Sequence, residues 1–202
     1  MSVRVLLAED QATVRGALSA LLDLEEDIEI VAEASRGDEV VPAALTTSPD
    51  VALLDIEMPG GDGLDAAAKL AERLPSCRVI VLTTFGRAGY LKRAMESGAV
   101  GFLLKDAPSS ELATAVRRVM DGERVVDPVL AASAFSEGDN PLTDRERDVL
   151  LASADGATIG DVASKLYLSE GTVRNYLSTA IKKLGTRNRV EAARLAERKG
   201  WL

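Results

Sequence analysis

Five side chains in this 202-residue sequence stand where short apolar runs end: Glu9 and Asp10 after residues 3–8, Asp55 closing 51–55, Thr83 closing 78–83, and Lys105 after 100–104. Three carboxylates brought together repel one another and raise their own pKa values unless a cation sits among them, and a hard, oxygen-seeking ion such as Mg²⁺ suits that role. A hydroxyl and an ammonium beside such a carboxylate supply what a phosphoryl group requires, because its charge is spread over several oxygens and must be neutralised and hydrogen-bonded. Taken singly, each acid reads as a solvated group at a strand end. Five positions agreeing at the same end of four different runs point to phosphoryl chemistry.

The elements that must position these groups follow from hydrophobic periodicity. Apolar runs at 3–8, 28–33, 51–55, 78–83 and 100–104 alternate with helix-periodic segments near 12–24, 38–47, 63–74, 88–97 and 109–121, the pattern of an α/β fold with helices on both faces of a parallel sheet. With strand order 2-1-3-4-5, strands one and three are neighbours. Their carboxyl ends then form the switch point where functional groups of doubly wound sheets collect. Residues 123–141 read as a linker, with a strand-like 124–127, an Ala-rich stretch able to form a short helix, and SEGDNP closed by Pro141. Beyond it Thr143 and Glu146 form a capping box, and helices are predicted from there to about Ser153, over 159–166, from the cap Ser169 to Leu184 with Gly185 as stop, and after Asn188. Four helices in residues 142–202 make an all-α second domain.

The composition sets limits. With no histidine and one cysteine, Cys77, the chain has no internal disulfide, no Cys/His metal site and no histidine base; zinc hydrolases and Ser-His-Asp enzymes are excluded, and any phosphohistidine donor is another protein. Apolar residues are 47% and charged residues 28% of the chain, which is the composition of a folded globular protein. No apolar run approaches the roughly 18 residues of a membrane span, so a cytoplasmic protein without membrane insertion is expected. The net charge of −8 conceals an asymmetry, −10 over residues 1–138 and +2 over 139–202.

Glu9-Asp10, Asp55 within DIEMPGGDG, Thr83-Thr84 and Leu104-Lys105-Asp106 resemble the receiver domain of two-component response regulators over residues 1–122. The resemblance implies that Asp55 is the phosphoacceptor and that Mg²⁺ is held by Asp10, Asp55 and the main-chain carbonyl of Glu57, with Glu9 acting through bound water. It further implies that Lys105 pairs with the phosphoryl group, that Thr83 hydrogen-bonds to it, and that Thr83 and Phe102 form the switch; an aromatic in an apolar strand is as well read as plain core. Many receivers have Asp in place of Glu9 and proline directly after the lysine, where this chain has Asp106.

The C-terminal half carries its own argument. Val173, Leu177, Ala180, Ile181 and Leu184 form an apolar stripe, while Arg174, Asn175, Ser178 and Lys182 lie on the other face, and residues 169–199 carry a net charge of +5. Such a helix after a short helix and a tight turn suits a DNA major groove. LTDRERDVL, DVASKLYLSEGTVRNYLSTAIKKLG and RNRVEAARLA resemble the LuxR-type helix-turn-helix of NarL/FixJ regulators. By that resemblance Arg174, Asn175 and Ser178 face bases, and Thr172, Lys182, Lys183 and Arg187 approach phosphates; Tyr176 stands where many relatives have histidine.

Together these imply a response regulator that takes a phosphoryl group from a sensor histidine kinase, forms a homodimer and binds promoter DNA to control transcription. LAEDQ, LLDLEED, DIEMPG, LTTFGRAGY, NPLTDRE and GTVRNY look most like regulators of membrane-lipid desaturase genes. The rival readings are an aspartyl-phosphate hydrolase, with Glu57 as the second acid, and a DNA-binding regulator independent of phosphorylation. The chain is not expected to be an enzyme beyond its own phosphoryl transfer and hydrolysis.

Overall fold

A computed structural model describes residues 2–84, 88–137, 140–154 and 156–202. Among the described residues the chain divides into two compact units, one formed by residues up to 84 and 91–133 and the other by residues 88–90 and those from 134. Up to residue 137 the chain alternates β1 (Val3–Ala8), α1 (Ala12–Leu22), β2 (Ile28–Ala34), α2 (Gly37–Thr47), β3 (Val51–Asp55), α3 (Gly63–Arg73), β4 (Arg78–Thr83), α4 (Ala88–Glu96), β5 (Gly101–Leu104), α5 (Ser109–Met120), β6 (Val125–Val126) and α6 (Pro128–Glu137). All strand pairs are parallel, in the order β2-β1-β3-β4-β5-β6.

The central strands are apolar throughout because both faces of the sheet are covered. Every residue of β3 is buried, as parallel strands between two helical layers require. On one face Val5, Leu7, Leu53, Ile80, Leu82 and Leu103 pack with Leu18 and Leu22 of α1 and Leu112, Val116 and Val119 of α5; α2 and α3 pack against strands on the other.

The sixth strand adds to the expected order 2-1-3-4-5. Val125 and Val126 pair with Gly101 and Phe102, so the segment assigned to the linker 123–141 contributes a sheet strand and then helix α6. Of the expected SEGDNP linker, Ser136 and Glu137 belong to α6, while residues 138 and 139 lie outside the described set.

The second unit contains α7 (Asp144–Ala152), α8 (Ile159–Leu166), α9 (Glu170–Leu184) and α10 (Arg189–Arg198), around a core of Val149, Leu150, Val162, Val173, Leu177, Ala180, Ala192, Ala196 and Trp201. Each start is capped. Thr143 and Glu146 form the expected capping box, Thr158 and Asp161 form a second, and Ser169 and Asn188 accept the N–H groups of Thr172 and Glu191. Gly185 ends α9 in the left-handed region at φ 64°, where glycine avoids the Cβ clash.

Candidate phosphoryl site and nucleic-acid interface

The register of the parallel sheet brings the acids together. Ala8 pairs with Leu54 across β1 and β3, so Glu9 and Asp55 each lie one residue further on, at the switch point. Thr83 pairs with Leu104, and the Lys105 N–H donates to the Thr83 carbonyl at 2.8 Å, which aligns the ends of β4 and β5 with them. Glu9, Asp10 and Asp55 each place a carboxylate oxygen within 4.8 Å of the others; Glu9 and Asp55 are buried and Asp10 is exposed.

Lys105 sits between two of the acids, its Nζ 2.6 Å from Glu9 Oε2 and 2.8 Å from Asp55 Oδ2. Burial works against its charge, but Asp55 and Glu9 outweigh that and hold its pKa above the ordinary lysine value. Asp55 is pushed upward, chiefly by burial, which together with the Glu9 charge outweighs the pull of Lys105. Glu9 Oε1 accepts the Gln11 N–H at 3.1 Å. Its fully buried Oε2 meets Lys105 as an ion pair outside hydrogen-bonding angles and has no hydrogen-bond partner among the described residues. Three carboxylates against one ammonium leave the cluster with excess negative charge, a donor set that fits a hard divalent cation. Thr83 is buried at the end of β4, and the Glu57 side chain is exposed two residues beyond Asp55.

Several residues that hold this site carry no charge signal in the sequence. A Cβ built on Gly63 would fall inside the Asp55 carbonyl, and the Gly63 N–H donates to Ile56 at 2.9 Å, so only glycine lets α3 begin against the end of β3. The Gly37 N–H donates to the Pro59 carbonyl at 3.0 Å and pins the loop after Asp55 from the side. Arg15 donates to the Glu9 carbonyl at 2.6 Å and bridges to Glu33, bracing the Glu9-Asp10 turn. Gly63 was visible within DIEMPGGDG; Gly37 lies outside that motif, and nothing local marked Arg15. Cys77 plays no part, since burial and the Asp50 charge push its thiol up to about 12.

In the second unit, Arg174, Asn175, Ser178 and Lys182 are exposed on α9, opposite Val173, Leu177 and Ala180. Arg174 pairs with Glu170 at 2.6 Å, with both side chains more than half exposed, a contact cheap to exchange. Thr172 is half-buried, its hydroxyl 2.8 Å from that of Ser169. Arg187 reaches Glu191 while 87% exposed.

Lys183 Nζ lies 2.7 Å from Glu146 Oε2, whose side chain is 6% exposed, while the lysine side chain itself is 34% exposed. The pair braces the start of α7. Burial alone would raise the Glu146 pKa, but Lys183 and the Thr143 N–H and hydroxyl outweigh it and hold it below the usual glutamate value. Tyr176 packs against the helical core.

Residues 5–117 match the family described as "Response regulator receiver domain" and residues 140–196 match "Bacterial regulatory proteins, luxR family". The transcriptional regulatory protein DesR of Bacillus subtilis (strain 168) is 46% identical over 199 residues, 98% of each chain. The chain belongs to the response-regulator family. The uncharacterized transcriptional regulatory protein YvfU of the same organism is 47% identical over 200 residues, covering 99% of the regulator and 100% of YvfU. Among solved structures, the response regulator ChrA of a heme-sensing two-component system aligns over 100% of the regulator and 99% of its own chain, with 36% identity and a TM-score of 0.60. The regulator thus joins a receiver domain to a luxR-type DNA-binding domain and acts on transcription. No described helix is long and apolar enough to cross a membrane.

Proposed function

We propose that the regulator accepts a phosphoryl group on Asp55 from a sensor histidine kinase in the cytoplasm, forms a homodimer in response, and binds promoter DNA through α9. The observation that carries this reading is Lys105 bridging Glu9 and Asp55 at the switch point, beside the exposed Asp10. In the transfer an Asp55 carboxylate oxygen attacks phosphorus, the O–P bond forms as the P–N bond of the phosphohistidine breaks, and the imidazole leaves with the electron pair. The carboxylate needs no general base. Lys105 exchanges one carboxylate for the incoming phosphoryl oxygens, and Thr83 donates its hydroxyl to them. Asp10, Asp55 and the Glu57 carbonyl would hold Mg²⁺, with Glu9 behind them through water. When bound, that ion supplies Lewis-acid neutralisation of phosphoryl charge.

A cleft of about 250 Å³ lined by Val14, Ala17, Leu21, Leu104 and Leu112 lies between α1 and α5 with Lys105 at its edge. Phosphorylation adds roughly −1.5 to −2 charge at the sheet edge, and Thr83 with Phe102 links that charge to the α4–β5–α5 face. Phe102 is fully buried in this state, opposite Val81 and Val126. The receiver domain spans 1–122 with β6 added to its sheet, and the DNA-binding domain 142–202. Arg174, Asn175 and Ser178 face bases, while Thr172, Lys182, Lys183 and Arg187 face phosphates. Incubation with acetyl phosphate and Mg²⁺ should label wild type and leave Asp55→Asn unlabelled; equal labelling of both refutes the assignment.

A further inference from the structure

The turn between α8 and α9 carries a residue that no part of the fold explains. Tyr167 closes α8 in the left-handed region at φ 55°, ψ 44°, where a Cβ crowds the following carbonyl and glycine or asparagine is the ordinary choice. Its side chain is 96% exposed, the most open of the large apolar or aromatic side chains among the described residues, so no packing offsets that strain. A strained, solvated aromatic with no partner in its own unit is the kind of outlier from which function is inferred. Two residues earlier, Lys165 is exposed and makes no ion pair among the described residues; two residues later, Ser169 caps α9. In a helix-turn-helix the second helix enters the major groove by its N-terminal end and the first crosses the sugar–phosphate backbone, so the turn joining them lies over that backbone.

We propose that Tyr167 is a DNA-backbone contact, its ring against the sugar–phosphate edge and its hydroxyl donating to a phosphate oxygen. Tyrosine hydroxyls are among the ordinary donors to phosphate, and such contacts set register without reading sequence. The inference rests on the reading of α9 as the recognition helix.

The test uses the full chain, a random-sequence duplex, and a duplex selected by the wild-type protein from a random pool, with binding followed by fluorescence anisotropy. Tyr167→Phe should weaken binding to both duplexes about three- to tenfold, the range for losing one ordinary hydrogen bond. The slope of log affinity against log salt should not change, because no charge is lost. Tyr167→Gly should weaken binding at least as much while melting at an equal or higher temperature, since glycine relieves the left-handed strain. Wild-type affinity in Tyr167→Phe overturns the proposal, as does a Tyr167→Gly variant whose melting temperature falls along with its binding. Arg174→Ala separates the two levels: if it weakens the selected duplex while the Tyr167 variants are silent, the Tyr167 contact alone fails, and if it too is silent, the placement of α9 fails with it.

Discussion

Lys182 and Lys183 are adjacent lysines on one helix, and the structure predicts that they fail in different ways. Removing the Lys183 ammonium leaves the Glu146 carboxylate, 6% exposed, with the Thr143 N–H at 2.7 Å as the hydrogen bond that still holds it among the described residues. Breaking a buried pair costs about 3 to 5 kcal/mol, but Lys183 is itself 34% exposed, so water replaces part of the lost interaction and about 1 to 2 kcal/mol is the reasonable figure. In a unit of this size each kcal/mol moves the melting temperature by roughly 4 to 8 °C, so Lys183→Ala should melt about 5 to 15 °C lower. Trp201 is the one tryptophan of the chain and packs in the helical core, so its fluorescence follows this unit alone. Lys182→Ala should melt as wild type but reduce the slope of log DNA affinity against log salt by about 0.9, the loss of one phosphate contact. If Lys183→Ala melts as wild type and lowers the salt slope as much as Lys182→Ala, the Glu146 pairing is not what that lysine does.

Other substitutions probe the remaining parts. Gly63→Ala forces a methyl group into the Asp55 carbonyl; it should cost about 1 to 3 kcal/mol and slow labelling by acetyl phosphate, whereas Gly16→Ala, with nothing within 4 Å of the added carbon, should stabilise α1 by about 0.5 to 1 kcal/mol, both read by circular dichroism melts. Arg174→Ala should weaken a selected operator by about 1 to 3 kcal/mol while sparing random DNA, checked by paired titrations. Glu146 has a folded pKa below its ordinary value, chiefly through Lys183 acting against burial; its stabilisation is therefore full above the unfolded glutamate pKa and lost as pH falls through the folded one. Tryptophan-monitored melts of wild type should drop more steeply than those of Glu146→Gln as pH is lowered from about 5. Light scattering should show phosphorylated protein shifted toward dimer at concentrations where Asp55→Asn remains monomeric; equal masses would count against the proposed response.

The acidic site was legible because its chemistry is carried by residue type at strand ends, and a parallel sheet aligns those ends without help from distant sequence. Helix boundaries were legible from Thr143, Ser169, Gly185 and Asn188, whose capping roles are local. The strand character of 124–127 was legible but its place in the sheet was not, since pairing with Gly101 and Phe102 is set by the fold. The separate fates of Lys182 and Lys183 were hidden too. One residue on a helix turns the side chain by about 100°, and the partner that decides the matter, Glu146, lies 37 residues away in sequence. Arg15 braces a main-chain carbonyl, and carbonyls leave no mark in a sequence.

The acidic pocket draws its groups from several strand ends, with Glu9 and Lys105 as the outermost members in the sequence. No contiguous fragment contains it, and a ribosome that has already polymerised Asp55 must add about fifty more residues before the lysine exists and β5 can dock. Non-local parallel pairings of this kind form slowly, because loop closure precedes the contacts that reward it. On the proposed reading, a nascent or half-folded chain therefore holds Asp55 without its assembled pocket, and competence to accept a phosphoryl group would arrive only once β5 has docked and brought Lys105 to it.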